Sequence, residues 1–203
     1  MWSVIAVVIV GLVGIYALVI RPWQVRWGAT DDEVQRAMRG DDLVQKPNFV
    51  ATRAITINAR PEEIWPWLIQ IGSRRAGWYS HDLLDNAGIP SSEELLPEFQ
   101  HIAIDDFIPF TPDQKNGMWV KEFDPLGWIL WWDKKEQSTW LWWLEPLDAE
   151  HTRLIARMRV RYVWTPPWLF YYLLFDAGDI VMMSKCLLGI KRRAENLHQS
   201  VAV

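Results

Sequence analysis

The sequence predicts an α+β protein in which an uncharged N-terminal helix precedes one globular unit of strands and helices. Three observations point there. Trp2–Ile20 contains no charged residue. Several later segments alternate polar and apolar residues with the period of two that marks half-buried strands. Near the C-terminus, Ile180, Met183, Leu187 and Ile190 fall on one helical stripe.

The N-terminal stretch "WSVIAVVIVGLVGIYALVI" extends about 28 Å as a helix, close to the hydrocarbon thickness of a bilayer. It reads as a retained transmembrane anchor over residues 1–22, because a basic start, a short apolar region and a small-residue cleavage site are all missing. Arg21 and Arg26 follow the apolar run and no cation precedes it, so the expectation is a single-pass protein of the cell membrane with its C-terminal domain on the cytoplasmic side. Trp23 and Trp27 then suit the interfacial belt. Residues 23–49 read as a juxtamembrane spacer with one short helix, started by a capping box at Thr30 and Glu33. Residues 50–203 form the globular domain.

Within that domain "TRAITI" alternates as a strand, and "ARPEEIWPWLIQIG" follows as a helix in which Pro66 forces a bend. "HDLLDNAG" gives a second short helix. Strands are expected near 107–110, 118–123, 128–132, 140–144 and 154–163, then a long helix over about 167–198.

Composition removes some function classes. The net charge of -4 offers nucleic acid no basic face. The lone Cys186 has no partner for a disulfide, and no Cys/His metal cluster or cofactor motif occurs, so no metal or cofactor is expected. Cys186 reads as a small buried residue.

The order of elements, with the strings "RAITINARPEEIWPWLIQIG", "GWYSHDLLDNAGIPSSEELLPEFQ", "TWLWWLEPLDAEHTRLIARMRV" and "CLLGIKRRAE", resembles the SRPBCC superfamily, the START-like or polyketide cyclase/dehydrase-like domains, and within it membrane-anchored members of unassigned function. The resemblance implies a helix-grip fold, a curved antiparallel sheet wrapped around a long C-terminal helix, with an apolar ligand between the two. One departure is "IDDFIP", where Asp105 stands in place of an expected Gly.

"WILWWDKKEQSTWLWWL" (residues 128–144) holds six of the chain's 15 tryptophans. Strand parity sorts them. If Trp132 opposes Trp140, then Trp128, Leu130, Trp132, Trp140 and Trp142 share the inner face. Met158 and Tyr162 join them from the last strand, whose Arg153, Arg157, Arg159 and Arg161 point outward, and Met183 and Leu187 face them from the helix. These residues are the expected wall of a ligand site, or of a core filled by its own side chains. A lipid, a quinone or another isoprenoid fits the resemblance and the anchor. Trp131 and Trp143 fall on the outer face, to be covered by arginine, membrane or partner, and Trp168 lies in an apolar run suited to the bilayer interface.

For catalysis His81 and Asp85, one helical turn apart, are the candidates, as a general base beside a carboxylate or as a surface contact. "GSRRAG" lacks the Lys-Ser/Thr end of a phosphate-binding loop and reads as a turn, with an anionic headgroup site as the alternative. Asp176 and Asp179 interrupt an apolar helix and read as solvated, with paired carboxylates facing a cavity as the other option. Three classes remain. They are a membrane-anchored carrier of an apolar molecule, an accessory subunit of a membrane complex, and a cyclase- or hydrolase-like enzyme.

Overall fold

A computed structural model describes residues 2–201, except the side chains of residues 2–4, 6, 9, 166–171, 173, 200 and 201. The elements run α1 (Trp2–Ile15), a π turn (Tyr16–Ile20), α2 (Arg21–Gln24), α3 (Asp31–Gln35), β1 (Phe49–Ile57), α4 (Pro61–Ile69), α5 (Asp82–Asp85), β2 (Phe107–Pro109), β3 (Gly117–Asp124), β4 (Trp128–Trp132), β5 (Ser138–Pro146), β6 (Thr152–Val160) and α6 (Pro166–Val201). One six-stranded antiparallel sheet has the order β1-β6-β5-β4-β3-β2, and α6 packs on it through β1 and α4.

The expected spanning helix is not present as one element. The π turn divides the apolar run, and among the described residues no helix is by itself long and apolar enough to cross a membrane. α1, the π turn and α2 nevertheless follow without a gap. Among the described side chains there, many apolar ones stand in the open, with Val7 and Val10 each 71% exposed and Leu18 79%.

The stretch expected to be a spacer lies against the sheet. α3 begins as anticipated, with Thr30 Oγ1 accepting from the Glu33 amide and the Glu33 carboxylate accepting from the Thr30 amide at 2.7 Å. Just before it, the carbonyls of Val25 and Trp27 accept from the amides of Thr52 and Ala54 on the edge strand β1. That pairing blunts an edge otherwise open to association. It needs Gly28, since a Cβ there would stand 2.2 Å from the Ala54 carbonyl oxygen. Met38, Leu43 and Ala29 then cover Ala54, Trp128, Leu130, Leu141 and Ile155 on the outer face.

Arginines fasten this cover. Arg157, 4% exposed at its side chain, donates to Thr52 Oγ1, to the carbonyls of Glu33, Val34 and Arg36, and to Asp41. Arg153 pairs with Glu33 at 2.7 Å. Burial alone would raise the Glu33 carboxyl, but Arg153 and Thr30 outweigh it and hold the group below the usual range.

The hairpin between β4 and β5 departs from the expected pairing by one residue. Trp132 faces Thr139, Trp131 faces Trp140, Ile129 faces Trp142 and Trp128 faces Trp143. Asp133 closes the turn, its carboxylate accepting from the amides of Lys135 and Gln137 while Lys134 and Glu136 take positive φ. A shift of one residue exchanges every side chain on β4 between faces. Trp131 is therefore inside and Trp128 outside. At the other predicted irregularity Asp105 takes φ 70°, the conformation a glycine would supply.

Candidate functional site

The inner face is organised in cross-strand rows. Ala51, Met158, Trp140 and Trp131 make one row, and Arg53, Ala156, Trp142 and Ile129 make the next. Trp131 and Trp142 are among the largest fully buried side chains, and Met183, Leu187 and Ile190 of α6 belong to the same core. Trp78, brought in by the loop after α4, stacks on Trp140 with parallel rings at 5.8 Å, and Trp140 stacks on Trp142 at 4.9 Å. Trp131 meets Trp140 edge to face at 5.4 Å.

These rings leave a polar residue of unmet bonds. The indole Nε1 atoms of Trp78, Trp131, Trp140 and Trp142 are buried and have no hydrogen-bond partner among the described residues. An unsatisfied buried donor costs about 1–3 kcal/mol; the indoles of Trp67 and Trp132 are orphaned in the same way elsewhere in the fold, and what sets these four apart is that their rings pack on one another. They are donors only, and they call for an acceptor.

At the end of the same face lies a network that ties the N-terminal elements to α6. The Asp176 carboxylate accepts from Tyr16 Oη at 2.6 Å, from Arg21 Nε at 3.0 Å and from Tyr162 Oη at 3.0 Å. Gln24 Nε2 donates to the Asp176 carbonyl at 2.6 Å. Burial, with Asp176 alongside, pushes the Tyr162 hydroxyl well above its ordinary pKa and keeps it a donor. One turn further on, Asp179 pairs with Arg53, their side chains 7% and 2% exposed. Arg53 Nε donates to the Gln24 carbonyl at 2.8 Å, while Arg53 Nη2 is buried without a partner among the described residues. The solvated reading of Asp176 and Asp179 is thus corrected. Arg21 and Arg53, separated from them by over a hundred residues, neutralise both.

The predicted wall is brought together in part. Trp140, Trp142, Met158, Met183 and Leu187 lie in the inner core, and Tyr162 packs at its margin. Trp128 and Trp132 do not belong to it. Trp128 sits in the outer cluster under Arg39, 4.3 Å from guanidinium carbon to ring centre, and Lys121 covers Trp132 at 4.0 Å. Sequence parity missed Trp131 and also Trp78, whose loop position gives no periodic signal. Of the rings expected to face membrane or partner, Trp23 is exposed. Trp27 packs on the main core, Trp131 is buried in it, and Trp143 is half-buried against the outer cluster with Arg36 at 5.8 Å. The Trp168 side chain lies outside the described residues.

His81 and Asp85 do not form a working pair. His81 Nδ1 faces Lys185 Nζ at 3.3 Å. Both Asp85 carboxylate oxygens are buried with no hydrogen-bond partner among the described residues, the Ser80 hydroxyl donating instead to the Met182 carbonyl, and burial raises the Asp85 pKa. "GSRRAG" is a closed turn, with Gly72 and Gly77 exchanging amide-to-carbonyl bonds at 3.0 and 3.1 Å. The Cys186 side chain is buried, and burial pushes its thiol up, away from the thiolate form. Among the described residues no group of His, Cys, Asp and Glu is placed to hold a metal. Two open grooves of about 380 and 370 Å³ mark the surface, one between Trp67 and Arg193, the other between Glu33 and Arg153. Neither reaches the inner tryptophans.

Sheet and helix together define an α+β protein whose antiparallel sheet is closed by a long C-terminal helix. No protein-family model matches the chain, and no curated protein sequence does. Solved structures of similar outline include a conserved protein of unknown function from Enterococcus faecalis, at 11% identity over 78% of this chain and 88% of that one, with a TM-score of 0.45. A protein from Mesorhizobium loti matches at 14% over 75% and 98%, TM-score 0.40. A Polyketide_cyc-like protein from Corynebacterium glutamicum matches at 15% over 75% and 83%, TM-score 0.33. The functional reading therefore rests on this chain's own residues.

Proposed function

We propose that this chain is a membrane-anchored, SRPBCC-like binding module that holds an apolar ligand, a lipid, quinone or other isoprenoid, between its sheet and α6. The observation that carries the reading is the set of four orphaned indole donors on the inner face. Four neighbouring buried donors without acceptors support a site that an acceptor-bearing ligand completes. A flat apolar ring with an acceptor oxygen meets two needs together. It can replace one tryptophan in the parallel stack of Trp78 on Trp140, and it offers the acceptor that the indoles lack. The apolar area it buries contributes roughly 25 cal/mol per Å².

Anchoring is supported by the absence of charge in the sequence Trp2–Ile20 and by the exposure of Val7, Val10, Leu12, Val13, Leu18 and Val19 within it, since such a surface is at home in lipid or a protein interior. Arg21 and Arg26, following an apolar run that no cation precedes, support a cytoplasmic side for the domain. Native mass spectrometry of the full chain released from detergent tests the reading. The expected spectrum shows the polypeptide with a small-molecule adduct that is lost on denaturation. A bare polypeptide that also takes up no added isoprenoid or lipid would sink it. Leu83 and Leu84, 81% and 70% exposed, favour an accessory-subunit role as the second reading. A stoichiometric protein partner in the same spectrum is its signature.

A further inference from the structure

The polar end of the inner face says more about the ligand than its apolar wall does. Arg53 lies on β1 opposite Ala156, and Ala156 lies opposite Trp142. Arg53 and Trp142 therefore flank one small residue, their backbones two strand spacings or about 10 Å apart along the row. Each ends in a buried donor with no partner among the described residues, Nη2 on Arg53 and Nε1 on Trp142. The other guanidinium nitrogens are taken, Nε by the Gln24 carbonyl and Nη1 by Asp179. Charge in this region is balanced, Arg53 against Asp179 and Arg21 against Asp176.

We infer that Arg53 Nη2 is the headgroup-reading donor of the site, and that it takes an uncharged carbonyl oxygen, such as that of a quinone, rather than a carboxylate or phosphate. The inference rests on the reading of the inner face as a ligand site. A carbonyl accepts the free N–H without disturbing the two ion pairs. An anion would bring a net negative charge beside Arg53 and Arg21, which Asp179 and Asp176 already neutralise, and burying an uncompensated charge is costly. Ala156, the smallest residue of the row, lies between Trp142 and Arg53. Gln24, which holds Arg53 Nε and also bonds Asp176, belongs to the segment that joins the N-terminal helix. The headgroup end of the site is thus its membrane end.

The test uses the full chain in one mild detergent, titrated calorimetrically with decylubiquinone and with palmitate, so that partitioning into micelles is common to all variants. Wild type is expected to bind decylubiquinone more tightly than palmitate. Arg53→Lys keeps the charge opposite Asp179 but removes the Nη2 donor, and should weaken decylubiquinone binding at least tenfold. Asp179→Asn leaves Arg53 uncompensated, and should move the preference toward palmitate by tenfold or more; it answers the question if Arg53→Lys proves unfolded by circular dichroism. Equal affinity of wild type and Arg53→Lys, or a wild-type preference for palmitate, overturns the inference while leaving the ligand site intact. Absence of saturable binding by either probe overturns the site and the inference together.

Discussion

The ion pair between Arg53 and Asp179 lends itself to a quantitative test, because both side chains are almost wholly inside and the rest of their surroundings are known. Asp179→Ala removes the carboxylate from a pair exposed by only 2% and 7%. Arg53 then keeps its bond to the Gln24 carbonyl but loses its ion-pair partner among the described residues. Breaking a buried pair from one side costs about 3–5 kcal/mol, since a charge is left uncompensated. For a chain of this size each kcal/mol moves the midpoint by about 2–4 °C, so a fall of roughly 6–20 °C is expected. The double variant Arg53→Met/Asp179→Leu removes both charges for apolar groups of similar volume and should stay within about 1 kcal/mol of wild type. Thermal unfolding followed by near-ultraviolet circular dichroism, in one detergent throughout, reads both. An Asp179→Ala midpoint within about 2 °C of wild type would refute the burial argument. A double variant as unstable as the single one would show that attraction, not desolvation, governs the pair.

Three further outcomes follow from the same geometry. Asp85→Asn should stabilise the protein by about 1–3 kcal/mol at pH 7, because it replaces a buried carboxylate with no hydrogen-bond partner among the described residues. Since burial raises the folded pKa of Asp85, stability from this group is fully present below its unfolded value near 4 and is lost as pH rises through the folded one; the gain from Asn should vanish below about pH 4, and urea midpoints at the two pH values check it. Gly189→Ala should destabilise by about 1–3 kcal/mol although alanine is the better helix former, because its Cβ would lie 2.2 Å from the Tyr79 carbonyl oxygen; a midpoint at or above wild type in the same melt contradicts that contact. Arg157→Met should free the 31–44 cover, which it holds through Glu33, Val34, Arg36 and Asp41, so limited trypsin digestion should cut after Arg36 or Arg39 sooner than in wild type; an unchanged pattern counts against the fastening.

Where the sequence carries a clean alternation, the fold is legible in it. Arg153, Arg157 and Arg159 alternate with Leu154, Ala156 and Met158, and that strand faces as expected. β4 and β5 carry no such signal, for "WILWW" and "TWLWW" are apolar on both faces. Register there is fixed by turn geometry instead, and the tight Asp133 turn pairs Trp132 with Thr139. The reason both faces are apolar lies elsewhere in the chain: residues 25–44 cover the outer one. A polar segment that covers a sheet through arginine–carbonyl bonds and single apolar contacts at Met38 and Leu43 leaves no periodic trace, so it resembles a spacer.

The same limit hid the polar end of the site. Arg53 stands among "TRAITI" as one polar residue on the face that also carries Ala51 and Ile57, and alternation by itself assigns such a residue to solvent. What turns it inward is Asp179, 126 residues away, on a helix whose apolar neighbours suggest a solvated interruption. Each charge looks misplaced alone, and only the pair is consistent with burial. Two misplaced opposite charges on elements that pack together are thus a recognisable sign of an internal polar site. Here Arg53 lies two strands from the orphaned indole of Trp142, where an apolar wall meets the residues that tie the N-terminal helix to the domain.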